Sequence, residues 1–410
     1  MLLVGIDWAE TEHAACLLSV GGRVLRRLRL GHDVAGVGRL TATIGELEGE
    51  PSEVLVAIET AHGLLVGALV EAGYTVYPIN PKSVERYRTR TRVSRAKTDP
   101  ADAELLARIL LTDRERHRPL TVSSAEREEI RSLARDDERA SRDQRRLLNR
   151  LRQDLLTVFP QALQAFDDLG SASCLAFLAR WPSAAEAATV DEAEHEAFFR
   201  AQRHGWPERT AKRVRTALTA PALHTPAHLA KAKTGSIRLA AEQLLLIHRQ
   251  RREWEKRLRE LLEGETAHPD GEIYLSLPGL DTRLAARVLG EVGDGAFDFA
   301  VANELQCYGG TAPVTRRSGK QVTIACRLAC NRHLRQAAMQ WAFCSLTRSE
   351  WARDFYDRQR ANGKSHYKAL RALANRWLEL LWHLLHKRVP YDEAIHQANR
   401  SKAQVTPCAA

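Results

Sequence analysis

The first eighty residues read as strands and helices in a fixed order, and that order constrains the fold more than any other feature. Leu2 to Ile6 is an apolar run that stops at Asp7, and His13 to Val20 is a second. Gly21-Gly22 then makes a two-residue hairpin turn into a third run, Arg23 to Leu30. Residues 39–48 have helical spacing. Val54-Leu55-Val56-Ala57-Ile58 is apolar at every position, as a parallel strand covered on both faces should be, and it stops at Glu59. A helix over Leu64 to Ala72, Gly73 and a strand over Tyr74 to Ile79 follow. Three hairpin-type strands, a helix, then strands alternating with helices is the order expected of an RNase H-like α/β layer. Sheets of this kind place their chemistry at strand ends.

Two acids, Asp7 and Glu59, therefore stand at expected strand ends. Two more open a helix in Lys97-Thr98-Asp99-Pro100-Ala101-Asp102-Ala103. There Asp99 is expected as the N-cap and Pro100 as the first helical residue. Asp102 shares a face with Asp99, their Cβ atoms roughly 5–6 Å apart. Taken singly, each acid is an ordinary turn or capping residue. Taken together they repel, by about 4 kcal/mol for two charges 4 Å apart at an effective dielectric near 20. Such a cluster needs protons or cations. Oxygen donors without His or Cys suit Mg²⁺ or Mn²⁺. Two such ions roughly 3.5–4 Å apart can clamp the attacking and leaving oxygens of a phosphodiester.

The charge balance favours a polyanionic partner, because the 410-residue chain carries a formal net charge of +10 and a pI near 9.4. Arg86, Arg88, Arg90 and Arg92 recur at every second position and lead through Arg95 and Lys97 into the acidic helix. In an extended segment they share one face. A charge run is usually a solvated face, but this one feeds directly into the acids, so contact with a phosphate backbone is the preferred reading. No run of eighteen apolar residues exists to span a bilayer. Met1 to Ile6 lacks the basic start of a signal peptide. Seven scattered cysteines, an odd number, fit a reducing, cytoplasmic setting.

From Ser124 to Phe159 the spacing is that of a long helix, with Ile130, Leu133, Ala140, Leu147, Leu151 and Val158 in a narrow seam interrupted by Asp137 and Gln144. A second begins near Ser236, its seam broken at Arg251. The two are expected to pair as an antiparallel hairpin or to coil with another subunit. Residues 160–235 between them read as an inserted helical subdomain. Leu275 to Gly293 resembles a helix-hairpin-helix, whose turn offers backbone N–H groups to phosphate; an ordinary packed Pro-Gly turn explains the same residues. Tyr308 to Lys320 reads as a glycine-rich basic loop in which Ser318 is flanked by Arg316, Arg317 and Lys320, cations able to stabilise a phosphoryl transition state. Cys326, Cys330 and His333 lack a fourth ligand for zinc and fall in a helical pattern, so core cysteines are expected. A helix over Ser365 to Lys387 and a polar tail close the chain. The expected limits are a first domain over 1–123, the helical pair with its insert over 124–265, a mostly helical domain over 266–395, and a tail over 396–410.

These strings together resemble one family, the DEDD transposases of the IS110 insertion-sequence family, which include the Piv-type DNA invertases. The first half is similar to their RuvC-like domain at Gly5-Ile6-Asp7, Ile58-Glu59 and Lys97-Thr98-Asp99-Pro100-Ala101-Asp102. The second half is similar to their transposase domain at Leu277-Pro278-Gly279, Tyr308-Gly309-Gly310-Thr311-Ala312-Pro313 and Ser318-Gly319. The longer insert at 160–235 departs from compact members. The resemblance implies an RNase H-like (RuvC-like) domain followed by helical domains. It implies a Mg²⁺ (or Mn²⁺) tetrad of Asp7, Glu59, Asp99 and Asp102, and Ser318 as nucleophile. The implied partners are double-stranded donor and target DNA, a non-coding bridge RNA and further copies of the chain as a dimer or tetramer, in the cytoplasm and on the nucleoid when active. Two other functions fit the residues. One is a RuvC-like nuclease in which water attacks, and the other is a non-catalytic scaffold that binds nucleic acid.

Overall fold

The structure, a computed structural model, describes residues 1–48, 50–91, 98–121, 123–221, 223, 225–265, 267–293, 299–319 and 321–398. It divides into two compact units, Met1–Val122 and Ser123–Ala410.

The first unit is built on five strands: β1 (Leu2–Asp7), β2 (Glu12–Ser19), β3 (Val24–Gly31), β4 (Val54–Ile58) and β5 (Thr75–Pro78). Their order across the sheet is β3-β2-β1-β4-β5. β1 runs antiparallel to β2 and parallel to β4, and β5 is parallel to β4. Helices α1 (Val34–Leu47), α2 (Leu64–Glu71), α3 (Pro81–Thr91) and α4 (Asp99–Asp113) complete it. Alternation along the central strands sends Leu2, Val4, Ile6, Val54, Val56 and Ile58 to one face, where Leu40 and Ile44 of α1 and Leu65 and Leu69 of α2 cover them. Leu3, Leu55 and Ala57 go to the other, under Val84 of α3 and Ala103, Leu106, Ile109 and Leu110 of α4.

Gly5 lies under α4. A Cβ there would stand 2.0 Å from the Ala103 carbonyl oxygen, so the helix rests on bare backbone. Two local expectations change. Residues 81–91 form α3, so the arginines from Arg86 to Arg90 do not share an extended face; Pro81 opens the helix and buried Val84 sets its inward side. The residue capping α4 is Thr98, whose backbone is extended, and Asp99 is already helical.

The second unit is helical. α5 (Ala125–Val158) leads into α6 (Pro160–Ala165), α7 (Ala172–Arg180), α8 (Ala184–Ala188), α9 (Glu192–Ala201) and α10 (Pro207–Thr219), and α11 (Ala227–Glu263) returns along α5. α11 begins nine residues before the expected Ser236. The pairing is antiparallel, with Arg257 on Glu129 at 2.6 Å, Arg251 on Asp137 at 2.7 Å, His248 on Gln144 at 2.9 Å and Lys233 on Asp154 at 2.6 Å. Asp137, Gln144 and Arg251, which interrupt the two seams, thus partner one another. The seams face each other within the chain. The five short helices close a core of their own with Leu151, Leu155, Ile237 and Leu244, centred on Phe166, Phe177, Trp181 and Phe199.

The remainder is α12 (Gly271–Leu275), α13 (Thr282–Val292), α14 (Ala302–Tyr308), the strands β6 (Val314–Ser318) and β7 (Gln321–Ala325), α15 (Arg332–Ser345), α16 (Glu350–Ala361) and α17 (His366–Lys387). Trp341 stacks on Trp377 at 5.0 Å in its core. The Pro278-Gly279 turn is packed inward. Its Gly279 has φ +86°, a Cβ there would meet the Ser345 backbone nitrogen at 2.6 Å, and Trp341 Nε1 donates to the Pro278 carbonyl at 3.0 Å. The expected glycine-rich loop around Ser318 is an antiparallel hairpin, because Val314 to Arg317 and Val322 to Ala325 pair about a turn at Gly319, whose φ is +55°. Cys326 and Cys330 lie outside any helix and are half-buried, which corrects the expectation of core cysteines on a helix. Among the described residues no helix is long and apolar enough to cross a membrane.

Candidate functional site

β1 and β4 are in register with Ile6 beside Ile58, so Asp7 and Glu59 follow side by side at the carboxyl ends of neighbouring parallel strands. Adjacent strands lie about 4.8 Å apart. Each side chain is half-buried. α4 crosses the same strand at Gly5 and carries Asp99 and Asp102 in its first turn, Asp99 exposed and Asp102 only 2% exposed.

Asp102 has a cation already. Arg88 Nε and Nη2, from α3, donate to its two carboxylate oxygens at 2.9 Å each. This is the planar, two-pronged pairing in which guanidinium and carboxylate match best. Arg88 was expected on phosphate and Asp102 on a metal; here each uses its charge on the other. Arg86 is exposed, and Arg90 reaches Asp113 at 3.9 Å. Arg92, Arg95 and Lys97 lie outside the described residues, as does Lys320.

The donor chemistry of Asp7, Glu59, Asp99 and Asp102, carboxylate throughout, fits a hard divalent cation. With Asp102 held by Arg88, however, no group of three or more acids, histidines or cysteines among the described residues is arranged to hold a metal ion.

In the second unit Ser318 ends β6 and is exposed, opposite Gln321. The two-residue period of a strand puts Arg316 on the face of Ser318 and Arg317 on the opposite face. The two arginines therefore do not flank the serine together.

Sequence reasoning passed over the base of this hairpin. Asn331, before α15, donates from Nδ2 to the Tyr308 hydroxyl at 2.8 Å and to Glu291 Oε2 at 2.7 Å. Arg135 Nε and Nη2 reach the two oxygens of Glu291 at 2.7 and 3.0 Å. Burial works to raise the Glu291 carboxyl, but the hydrogen bonds from Arg135 and Asn331 outweigh it and hold it below the usual carboxylate range. His333 Nδ1 lies 2.8 Å from Glu138 and is no part of a metal cluster.

Known proteins match both parts. Residues 4–160 match a transposase family of the DEDD, IS110 type, and residues 271–357 match the transposase family IS116/IS110/IS902. A protein of Streptomyces coelicolor named as a mini-circle transposase for IS117 is 35% identical over 95% of each chain. The chain belongs to the IS110 family of transposases. As a member it is a DNA transposase. The 43.6 kDa protein of insertion element IS110 of Streptomyces coelicolor is 28% identical over 95% of each chain. The 42 kDa protein of insertion element IS900 of Mycobacterium paratuberculosis is 28% identical over 95% of this chain and 97% of its own. Within the family-matched stretches lie Asp7, Glu59, Asp99, Asp102 and Arg135 in the first, and Glu291, Tyr308, Ser318 and Asn331 in the second.

Proposed function

We propose that this transposase cuts and rejoins DNA with a DEDD set of Asp7, Glu59, Asp99 and Asp102 on an RNase H-like layer, with Ser318 as nucleophile and a bridge RNA as guide. The observation that carries the reading is the pairing of Asp7 and Glu59 at adjacent parallel strand ends, beneath a helix whose first turn brings two more acids. The strand order β3-β2-β1-β4-β5, with β2 alone running against the other four strands, supports the RNase H-like assignment. The four carboxylates would hold Mg²⁺ (or Mn²⁺), which supplies charge neutralisation at a phosphodiester.

The chain's own chemistry is a transesterification. Ser318 Oγ bonds to phosphorus, one P–O bond to deoxyribose breaks, and the serine proton ends on the released deoxyribose oxygen. Attack by another deoxyribose hydroxyl on the phosphoserine reverses the step and rejoins DNA without external energy. Arg316, on the serine's face, offers its guanidinium to the phosphate. Arg86, Arg90, Arg92, Arg95, Lys97, Arg317 and Lys320 contact the backbone of DNA or RNA, and Arg88 joins them on leaving Asp102. The net charge of +10 and the family membership support donor and target duplexes, the bridge RNA, and assembly of several copies.

In a second reading water attacks in place of the exposed Ser318 hydroxyl. Strand exchange followed on denaturing gels separates the two. Asp102→Asn and Ser318→Ala each abolish recombination, and raised Mn²⁺ partly restores only Asp102→Asn, because a weakened site fills by mass action. An adduct that persists in Ser318→Ala means another nucleophile, and cleavage with no adduct in the wild type means water. Sequencing the RNA that co-purifies with the protein tests the guide: a discrete structured RNA supports it, and heterogeneous cellular RNA counts against it.

A further inference from the structure

The hairpin that carries Ser318 has little to hold it but its base. Every residue from Thr315 to Ser318 and from Gln321 to Ile324 is exposed, including Val322 and Ile324. An isolated two-stranded hairpin is marginal in water and does not by itself fix where its tip points. Its two legs meet at Gly310 and Cys330. Gly310 has φ +66°, and a Cβ there would stand 2.5 Å from the Cys330 sulfur.

One side chain closes this base. The Asn331 backbone N–H donates to the Tyr308 carbonyl at 2.7 Å, and Nδ2 reaches the Tyr308 hydroxyl and Glu291. Its Oδ1 accepts from the His333 and Leu334 N–H groups at 3.0 and 3.1 Å, capping α15. Glu291, on α13 and 5% exposed, is gripped in turn by Arg135 of α5. A buried ion pair adds little net stability over apolar packing of the same volume. What a chain of directional bonds adds is direction.

We infer that Asn331 is a positioning residue for Ser318: it clamps the base of the serine hairpin to the Arg135–Glu291 pair and so fixes the bearing of the hydroxyl. The role rests on the reading of Ser318 as nucleophile. It also gives the clamp a span, since Arg135 belongs to the first family-matched stretch and Glu291, Tyr308 and Asn331 to the second. The contact joins the two stretches within one compact unit.

The test uses the full chain with a nitroxide carried by an unnatural amino acid at Gln321. Asn331→Asp keeps the size and the cap of α15. It turns the Nδ2 donor into an oxygen facing the Glu291 carboxylate. The expected result is faster nitroxide motion and adduct formation slowed on the order of 10²-fold at saturating DNA, with duplex affinity retained. Asn331→Asp with Glu291→Gln restores the pair with donor and acceptor exchanged, and recovers part of both. Tyr308→Phe, which loses only the hydroxyl, shifts both readouts the same way by less, and stands in if the aspartate variant fails to fold. Nitroxide motion and adduct rate equal to wild type in both Asn331→Asp and Tyr308→Phe overturn the clamp. Adduct formation by Ser318→Ala overturns the nucleophile instead, and the nitroxide still judges the clamp.

Discussion

The acids and the serine are held in opposite ways. Asp7 and Glu59 extend from central strands covered on both faces, and the helix bearing Asp102 rests on the backbone of Gly5. Their places are fixed by burial. Ser318 sits near the tip of an exposed hairpin that takes its bearing from four polar side chains at its root. Carboxylates that must stay close together need a stiff scaffold against their own repulsion. For the nucleophile proposed here, which has to meet a bulky polymer, a clamped arm gives both access and aim.

Substitutions should separate the two designs, and the largest effect belongs to Gly5. Gly5→Val drives a branched side chain into the Ala103 carbonyl and should destabilise the first unit by about 3 kcal/mol or more. Thermal unfolding shows this as loss of its transition, and a wild-type melting profile would remove the claim that the acidic helix rests on bare backbone.

Asp102→Asn should cost about 2 kcal/mol by leaving the Arg88 guanidinium without its carboxylate. Ser318→Ala, at an exposed strand end, should change stability by less than about 0.5 kcal/mol. Chemical denaturation of the two variants side by side tests the contrast, which fails if they are equally stable.

Arg88→Gln removes the internal cation from Asp102. Without nucleic acid it should raise Mn²⁺ affinity about ten-fold, a differential of about 1.4 kcal/mol. Mn²⁺ paramagnetic resonance reads the bound fraction directly. Equal affinity in wild type and variant would show that Arg88 does not compete for the carboxylate.

The smallest effect is on acid stability. The Glu291 carboxyl is lowered in the folded chain, so its contribution is full above the ordinary carboxylate value of about 4.3 and fades as pH falls through the lower, folded value. The stability gap between wild type and Glu291→Gln should stay level at neutral pH and narrow only in acid. A gap that widens on acidification would reverse the sign assigned to this group.

The sheet was legible because β1, β2 and β4 are apolar runs cut off by acids or glycines, a pattern that marks both the strand and its end. α3 was not. Arginine at every second position imitates the period of a strand, while the helical signal, Val84 followed three residues later by Tyr87, is only two residues long. The Arg88–Asp102 pair was hidden for a related reason, since each residue had a plausible outside partner. Asp137, Gln144 and Arg251 looked like faults in two seams, because residues more than a hundred positions apart carry no local sign of pairing. Asn331 was invisible too, because its contacts with Glu291 and Tyr308, 40 and 23 positions away, exist only once α13, α14 and α15 have packed.

The polar cross-links between α5 and α11 also make the pair a ruler. From Arg135, where the serine arm is anchored, to Val158, where the inserted core is fully under way, α5 runs roughly 23 residues, or about 35 Å. Because Arg257, Arg251, His248 and Lys233 tie the second helix to the first at four levels, the interval cannot stretch by sliding. It can change only if both helices change together, so the insert stays at a fixed distance from the arm.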